Sequence, residues 1–369
     1  MDTPENDLMI ENPGFFLMKK FGLYQATPDQ ARWADLFRAY IVKHPQAVQE
    51  LTSLMDDPLS VDTIERAVDR LLHVFPAEKY HLLHFFQPLP FVSDFEKEHM
   101  RRLEQIAPAI AAEFPGFYQG RNSESFYSHH GLRFMNPCVA RYLAGGDFVD
   151  CGAYIGDSAV IMHKYHPRKI HAIEPSAACA EKLKINMSKF APDQDWQEYR
   201  YCLGKEPGTV YFDENLEGSS RITGTQGRGV AVPRVTLDDL CADNRIENIR
   251  WLKADLEGEA KNMILGARKT IRKFKPLLTL AVYHSPEEFF EIAQLLKELV
   301  PEYHFAFRRC AILNIAGLQY LYGEETLIAY IPQQGDPVEW YRNEDPDPGS
   351  TTRGSYSVVK SPALYSITL

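Results

Sequence analysis

The sequence predicts an α/β protein in which a helical N-terminal region precedes an open, mainly parallel β-sheet. Three observations support this prediction. Residues 1–115 show helical patterns and almost no strand pattern, strand and helix patterns alternate from Asp147 onwards, and only a short loop separates the last two strand patterns. Alternating strands and helices are typical of parallel sheets. Two strands joined by a short loop instead pair in antiparallel fashion.

Composition limits the class of protein. The 369 residues are 45% hydrophobic and 24% charged, with a net charge of −10, which indicates a soluble globular chain with room for two domains. The negative charge argues against nucleic acid as a partner, because phosphate binding needs a cationic surface. We expect no membrane span, since no apolar run approaches the ~18 residues required. The acidic start is unlike a signal peptide, and the six scattered cysteines indicate reduced thiols in a cytoplasmic protein.

The N-terminal region is predicted to be helical because its apolar residues recur at helical spacing. Helices are predicted at 30–42, 61–75 and 94–114. Prolines within 87–91 interrupt the helical run. We therefore assign residues 1–115 to a helical N-terminal domain. Residues 116–146, rich in Gly, Ser, Tyr and His, are interpreted as a linker or lid.

The region 147–332 is predicted to form the sheet domain. Strands are predicted at 148–151, 169–173, 198–203, 249–256, 277–283, 304–309 and 326–331, with further short strands at 208–213 and 229–235. Helices are predicted at 158–166, 177–190, 259–274 and 286–300. The loop at 311–325 is too short for a full crossover helix, so the last two strands are expected to pair in antiparallel fashion. The tail, 333–369, is expected to be irregular.

The stretch 147–158, Asp-Phe-Val-Asp-Cys-Gly-Ala-Tyr-Ile-Gly-Asp-Ser, is the most informative. An apolar strand leads into a turn containing Gly152 and Gly156, and a helical pattern follows with Asp157 or Ser158 as its cap. Open α/β sheets bind nucleotide-type ligands at such a turn. A plain strand-to-helix turn is the alternative interpretation.

The details of this turn indicate the kind of ligand. A loop that binds a dinucleotide has the pattern Gly-x-Gly-x-x-Gly, but Tyr154 occupies the position of the second glycine. Asp150 precedes Gly152 by two residues and would repel a pyrophosphate. A carboxylate there suits a cationic amine instead.

An acidic residue, Glu174, ends the second predicted strand and is followed by Pro175. It lies about 20 residues after the glycine turn, where dinucleotide folds place the carboxylate that accepts ribose hydroxyls. A solvated surface glutamate is the alternative. With the glycine turn upstream, we interpret Glu174 as a ribose-binding residue.

A third group of polar residues ends a central strand. Strand alternation directs Lys253, Asp255 and Glu257 to one face, at the carboxyl end of the sheet and beside the expected pocket. Glu257 and Glu259 could instead complement the dipole of the next helix. Asp255 needs a partner, which Lys253 or a ligand could supply.

His284 follows the next apolar strand and precedes a helix. A histidine near its ordinary pKa is a good general base for a hydroxyl, and a structural or helix-capping histidine is the alternative. The pairs His81–His84 and His129–His130 lack further ligands at a convincing spacing, so we assign no metal site.

These motifs, taken in order, resemble the FkbM-type S-adenosylmethionine-dependent methyltransferases. The matching segments are 148–158, 173–175, 234–240, 252–260, 265–267, 275–276, 282–284 and 325–330, within about 147–332. The resemblance implies a Rossmann-like class I methyltransferase sheet with a terminal antiparallel hairpin. It also implies a soluble enzyme that moves a methyl group from S-adenosylmethionine to a hydroxyl of a sugar or natural product.

The resemblance also implies roles for individual residues. Asp150, Gly152 and Gly156 would line the methionine end of the cofactor, Glu174 would bind its ribose, and Asp255, Glu257 and His284 would lie near the transferred methyl group. The candidate cofactor-binding residues are Asp150, Gly152, Ala153, Tyr154, Gly156, Asp157, Ser158, Glu174, Pro175, Leu203 and Asp255. The candidate catalytic residues are His284, Asp255, Glu257 and Lys253, with His284 as the base.

Two other functions stay open on the sequence. A nicotinamide-dependent oxidoreductase would share the glycine turn and Glu174, although the missing Gly-x-Gly and the terminal hairpin count against it. A non-catalytic S-adenosylmethionine-binding protein would keep the fold without turnover. The expected partner is a small-molecule or glycan acceptor, and the sequence is compatible with a homo-oligomer.

Overall fold

The protein is built around a seven-stranded mixed β-sheet. The computed structural model describes residues 23–24, 28–73, 87–88, 94–118, 122–212, 222–223, 229–315 and 318–337. The strands are β1 (Leu23–Tyr24), β2 (Gln87–Pro88), β3 (Asp147–Cys151), β4 (Lys169–Ile173), β5 (Trp196–Tyr199), β6 (Cys202–Leu203), β7 (Gly208–Phe212), β8 (Ile222–Thr223), β9 (Val230–Val235), β10 (Ile249–Ala254), β11 (Leu277–Ala281), β12 (His304–Ile315) and β13 (Leu318–Tyr330). The large sheet has the order β12-β13-β11-β10-β3-β4-β5.

The direction of the strands confirms the predicted fold class. Strands β5, β4, β3, β10 and β11 run parallel, whereas β13 is antiparallel to both β11 and β12. The terminal hairpin is longer than predicted: most of the expected loop at 311–325 belongs to β12 and β13. Long paired strands satisfy the backbone hydrogen bonds that a loop would leave to solvent.

Helices precede the sheet and connect its strands. They are α1 (Pro28–Lys43), α2 (Ala47–Ser53), α3 (Pro58–His73), α4 (Asp94–Glu113), α5 (Ser123–Phe126), α6 (Val139–Leu143), α7 (Asp157–His163), α8 (Ala177–Phe190), α9 (Leu237–Asp243), α10 (Ala260–Leu265), α11 (Arg268–Phe274) and α12 (Pro286–Leu299), with a 3₁₀ segment at His129–Phe134. The helix predicted at 259–274 is divided at Gly266, where a Cβ atom would lie 2.1 Å from the Gly204 carbonyl oxygen. Within the described residues, no helix is long and apolar enough to cross a bilayer.

The sheet separates two apolar cores. Phe148 and Trp251 pack into one core, whereas their chain neighbours Val149 and Leu252 pack into the other. Successive side chains of a strand point to opposite faces, so both faces of β3 and β10 are covered, as predicted for a sheet with helices on both sides.

A small second sheet lies after β5, with the order β6-β9-β7-β8. It contains the two short strands predicted at 208–213 and 229–235. The single strand predicted at 198–203 is instead two strands, β5 and β6, which belong to different sheets.

The N-terminal helices pack directly on the sheet domain. Phe37 of α1 makes ring contacts with Phe289 and Phe290 of α12, and the Trp33 indole Nε1 donates to the Tyr283 carbonyl oxygen at 3.0 Å. A two-residue antiparallel pair, β1 with β2, also lies in this mainly helical region. The division of the chain at residues 115, 146 and 332 stays a prediction. His81, His84 and the tail from 338 onwards lie outside the described residues.

Candidate active site

The glycine turn after β3 brings three strand ends together. Gly152 has φ +80°, and its backbone N–H donates to the Ile173 carbonyl oxygen of β4 at 3.0 Å. A Cβ atom on Gly152 would lie 1.9 Å from the backbone oxygen of Asp255, which follows β10. Such an approach excludes every residue except glycine, so the close junction of these strands explains the glycine.

A buried ion pair fixes the turn from behind. Asp150 is fully buried, and its carboxylate lies 3.2 Å from the Lys253 Nζ and accepts from the Ser158 hydroxyl at 2.6 Å. The same Nζ donates to the Gly152 carbonyl oxygen at 2.7 Å. Burial alone lowers the pKa of Lys253, but the Asp150 and Asp255 carboxylates raise it by more, so the net shift is upward. Lys253 is therefore a cation that positions the turn.

Glu174 connects the turn to the second strand. Its two carboxylate oxygens accept the backbone N–H groups of Tyr154 and Ser176, each at 2.8 Å. Burial raises the pKa of Glu174 to about 7, although both backbone hydrogen bonds oppose the shift.

Two residues at the ends of these strands have an unusual backbone conformation. Tyr154 and Glu257, which both border a cavity at this edge of the sheet, have positive φ values of 46° and 49°. Backbone strain of this kind is concentrated at functional sites.

These elements surround a cavity of about 400 Å³, within the size range of small-molecule sites. The predicted residues on its wall are Gly152, Tyr154, Asp157, Glu174, Pro175, Leu203, Lys253, Asp255 and Glu257. The other predicted residues stand behind this wall: Asp150, Ala153, Gly156, Ser158 and His284. The structure thus gathers the candidates around one cavity but separates those that face it from those that support it.

The segment predicted as a lid supplies wall residues that the sequence did not single out. Asn122, Glu124, Ser125 and His130 line the cavity. Ser125 and Asn122 donate to the Asp157 carboxylate at 2.6 and 3.1 Å. The composition of the segment pointed to a lid, and His130 was considered only as half of an adjacent histidine pair. No spacing placed these four residues at the cavity, because they reach it through tertiary packing.

The cavity wall is acidic. Its acidic side chains are Glu124, Asp157, Glu174, Asp255, Glu257, Glu259 and Glu324. Burial, followed by the charge of Asp157, raises the pKa of Glu124 to about 8. Burial and the Glu124 carboxylate raise the pKa of Glu324 well above its usual value. Because these carboxyl groups oppose one another's ionisation, the wall favours a positively charged occupant and disfavours an anion.

His284 lies among three carboxylates. Its Nε2 is 3.4 Å from Asp255 Oδ1 and 3.6 Å from Glu257 Oε2, and its Nδ1 is 3.6 Å from Glu288 Oε2. Burial lowers the pKa of His284, but Glu288, Asp255 and Glu257 raise it by more, to about 9. The ordinary pKa expected for His284 from the sequence is thus replaced by a raised one in this environment. The role of His284 as a base stays a prediction.

Comparison with known proteins agrees with the resemblance. Residues 150–305 match the family model described as "Methyltransferase FkbM domain". Methyltransferase FkbM from Methylobacillus flagellatus KT is 18% identical at a TM-score of 0.48, and the match covers 79% of this chain and 60% of that chain. The chain thus spans 60% of the length of that protein. No match was found among the curated proteins.

Two further solved structures are similar over a smaller part of the chain. An rRNA methylase from Streptococcus thermophilus is 10% identical at a TM-score of 0.31, with coverage of 55% of this chain and 94% of that chain. An O-methyltransferase from Bacillus cereus, solved in complex with SAH, is 10% identical at a TM-score of 0.33. The match covers 63% of this chain and 90% of that chain.

Proposed function

We propose, from the premise that residues 150–305 form an FkbM methyltransferase domain, that the cavity binds S-adenosylmethionine and that its methyl group is transferred to an acceptor hydroxyl. The observation that carries the proposal is the position of the cavity: it is bordered by residues that follow β3, β4 and β10, at the carboxyl ends of parallel strands. A sugar or natural-product hydroxyl is the proposed acceptor.

The residues present fit this cofactor. The backbone of the glycine turn borders the cavity at Gly152 and Tyr154, and Glu174 offers carboxylate oxygens to the ribose hydroxyls. Asp157 presents a carboxylate at the wall for the methionine ammonium group. Asp150 acts from behind, through Lys253 and Ser158, as support for the turn.

Bound S-adenosylmethionine supplies a methyl group activated by a sulfonium, whose sulfur keeps the electron pair when the carbon–sulfur bond breaks. The protein contributes position, exclusion of water and removal of the hydroxyl proton. Asp255 and Glu257 face the cavity, and His284 lies directly behind them. We assign the acceptor hydroxyl to this side of the cavity.

The acidic wall supports a choice among acceptors. A phosphorylated or carboxylated acceptor would add negative charge to a site that already holds several carboxylates. Neutral polyols and cationic amino sugars meet no such repulsion. The proposed acceptor is therefore a neutral or cationic hydroxyl compound.

The test combines binding with product analysis. Calorimetry should show binding of S-adenosylhomocysteine, the product of methyl transfer, and none of NAD. Mass spectrometry of reactions with neutral, cationic and anionic hydroxyl acceptors should show a gain of one methyl group in the first two classes. Binding of NAD without S-adenosylhomocysteine would contradict the proposal. Cofactor binding without turnover on any acceptor would favour a non-catalytic binding protein.

A further inference from the structure

The three residues Asp255, Glu257 and His284 form a cluster with the geometry of a metal site. One ligand atom from each lies within 4.8 Å of the others. Bonds of ~2.0–2.2 Å to a divalent metal place neighbouring ligand atoms ~3.0–3.5 Å apart. The His284 Nε2 lies 3.4 Å from Asp255 Oδ1 and 3.6 Å from Glu257 Oε2. Two of the three distances are thus close to those of a bound ion, and the third, between Asp255 and Glu257, is at most 4.8 Å.

His284 provides a second and independent observation. Its side chain is 9% exposed, and neither ring nitrogen has a hydrogen bond of normal length, because the carboxylate oxygens that face them lie 3.4–3.6 Å away. Asp255 Oδ1, which faces Nε2, is also buried without one. Buried polar atoms are almost always satisfied, and one that is not requires an explanation such as an ion.

The surroundings of the imidazole favour coordination through Nε2. Its other nitrogen, Nδ1, lies 3.6 Å from Oε2 of the buried Glu288. The second oxygen of Glu288 accepts the Ala260 backbone N–H at 2.7 Å, which holds the carboxylate in place. Histidines that bind metals usually direct their other ring nitrogen to a carboxylate of this kind.

The charge around the cluster also suits a cation. Asp255 and Glu257 both line the cavity and bring two carboxylates to the ligand set. Lys253 also lines the cavity, but its ammonium group contacts the Asp150 carboxylate at 3.2 Å and the Gly152 carbonyl oxygen at 2.7 Å. A divalent ion would compensate the remaining negative charge.

We infer that Asp255, Glu257 and His284 bind one first-row divalent cation, with Mn²⁺ or Zn²⁺ preferred over Mg²⁺ because an imidazole completes the ligand set. Three protein ligands leave coordination positions open towards the cavity. The ion site is inferred from the geometry of the three side chains, whereas its role in methyl transfer rests on the proposed function.

In that role an ion held by Asp255, Glu257 and His284 would bind the acceptor hydroxyl and lower its pKa, so that the proton could be lost to solvent. The resulting alkoxide oxygen forms the new bond to the methyl carbon, while the carbon–sulfur bond breaks and its electron pair stays on sulfur. His284 would then be a metal ligand and would not act as the base that removes the hydroxyl proton. This differs from our sequence-based expectation, which assigned no metal.

The test measures ion binding directly. The protein is stripped with a chelator and titrated with Mn²⁺, and the loss of the free-ion signal in electron paramagnetic resonance reports binding. We expect one Mn²⁺ per chain and competition by Zn²⁺. Asp255→Asn and His284→Gln should each weaken Mn²⁺ binding at least about tenfold. The matched control is Glu287→Gln, since Glu287 is an exposed acidic residue three positions after His284 and does not line the cavity, and it should bind Mn²⁺ as the wild type does.

Each variant is also titrated with S-adenosylhomocysteine, and its thermal unfolding is recorded, to confirm that it is folded. A wild-type protein that binds no Mn²⁺ or Zn²⁺ would overturn the inference. Unchanged Mn²⁺ binding by both Asp255→Asn and His284→Gln would overturn it as well. Mn²⁺ binding without any S-adenosylhomocysteine binding would leave the ion site standing and refute the proposed function instead.

Discussion

At the scale of single residues, the carboxylates of the site differ because their surroundings differ. Asp150 is buried against a lysine, Glu174 is held by two backbone N–H groups, and Asp255 faces a histidine. For Asp150 and Glu174 the partner groups stabilise the charged form, and burial opposes it. The residue type alone does not distinguish these three carboxylates from one another. Their contacts do.

The first prediction concerns Glu174 and pH. A ribose hydroxyl can donate to the carboxylate but gains less from the neutral acid, whose proton occupies one oxygen. Because burial raises the pKa of Glu174 to about 7, S-adenosylhomocysteine affinity should fall as the pH decreases through that value. Calorimetry at about pH 8 and about pH 6 should show a loss of about tenfold. Glu174→Gln should bind more weakly and with a flatter pH dependence. Equal wild-type affinity at both pH values would refute the ribose role.

The second prediction concerns Gly152. In Gly152→Ala the new Cβ atom would collide with the Asp255 backbone oxygen, and the turn could not keep its shape. We expect at least a tenfold loss of S-adenosylhomocysteine affinity in calorimetry. Gly145→Ala is the control, because Gly145 also has a positive φ, +75°, but no atom within 4 Å of its Cβ position. Both variants carry a backbone strain of about 1–3 kcal/mol, so equal binding by both would show that the close approach is irrelevant.

At the scale of elements, the site depends on helices that are remote in sequence. Helix α1 supports the end of β11, where Trp33 donates to the Tyr283 carbonyl oxygen, one residue before His284. Tyr40 of the same helix donates to Glu291 on α12 at 2.9 Å. The N-terminal region thus holds the turn that carries the histidine, in addition to any part in choosing the acceptor.

The third prediction follows from this contact. Trp33→Phe removes the donor and should lower the free energy of unfolding by about 1–2 kcal/mol, as measured with denaturant. The rate of methyl transfer should fall because His284 is held less firmly, while S-adenosylhomocysteine affinity stays within about twofold. Leu36→Ala on the same helix is the control, since Leu36 is 58% exposed. Unchanged transfer by Trp33→Phe would mean that α1 does not support the site.

At the scale of the whole molecule, the apolar cores cross the predicted domain boundary. Ala34 and Phe37 of α1 belong to the same buried cluster as Leu252 of β10 and Ile292 of α12. Buried ion pairs also join the regions: Arg309 of β12 pairs with Glu96 of α4 at 2.8 Å. Shared apolar burial couples the stability of the elements that share it.

The fourth prediction tests this coupling. Phe37→Ala removes a fully buried ring and should destabilise the protein by about 3–5 kcal/mol. Because α1 and the sheet share one core, scanning calorimetry should show the main unfolding transition shifting to lower temperature as one cooperative unit. A separate low-temperature transition, with the main one unmoved, would indicate an independent N-terminal domain. Leu36→Ala should leave the temperature of the main unfolding transition unchanged and should produce no separate transition.

The sequence alone determined much of this protein. The periodicity of apolar residues identified the strands of the sheet and the helices that connect them. The short loop after the strand predicted at 304–309 identified the antiparallel hairpin. The glycines and acids at strand ends marked the site, because parallel strands bring their carboxyl ends to one edge of a sheet. These features are local, since they depend on a few neighbouring residues and on regular backbone geometry.

Only the tertiary structure decided which partners the marked residues contact. It turned Asp150 towards Lys253, behind the cavity, and placed His284 among the carboxylates of Asp255, Glu257 and Glu288. It also brought residues of the lid segment to the cavity wall and joined α1 to the turn before His284. The reason is physical: a pKa, an ion pair or a metal site depends on distance and on the loss of water, and both are set by contacts between residues far apart in the chain.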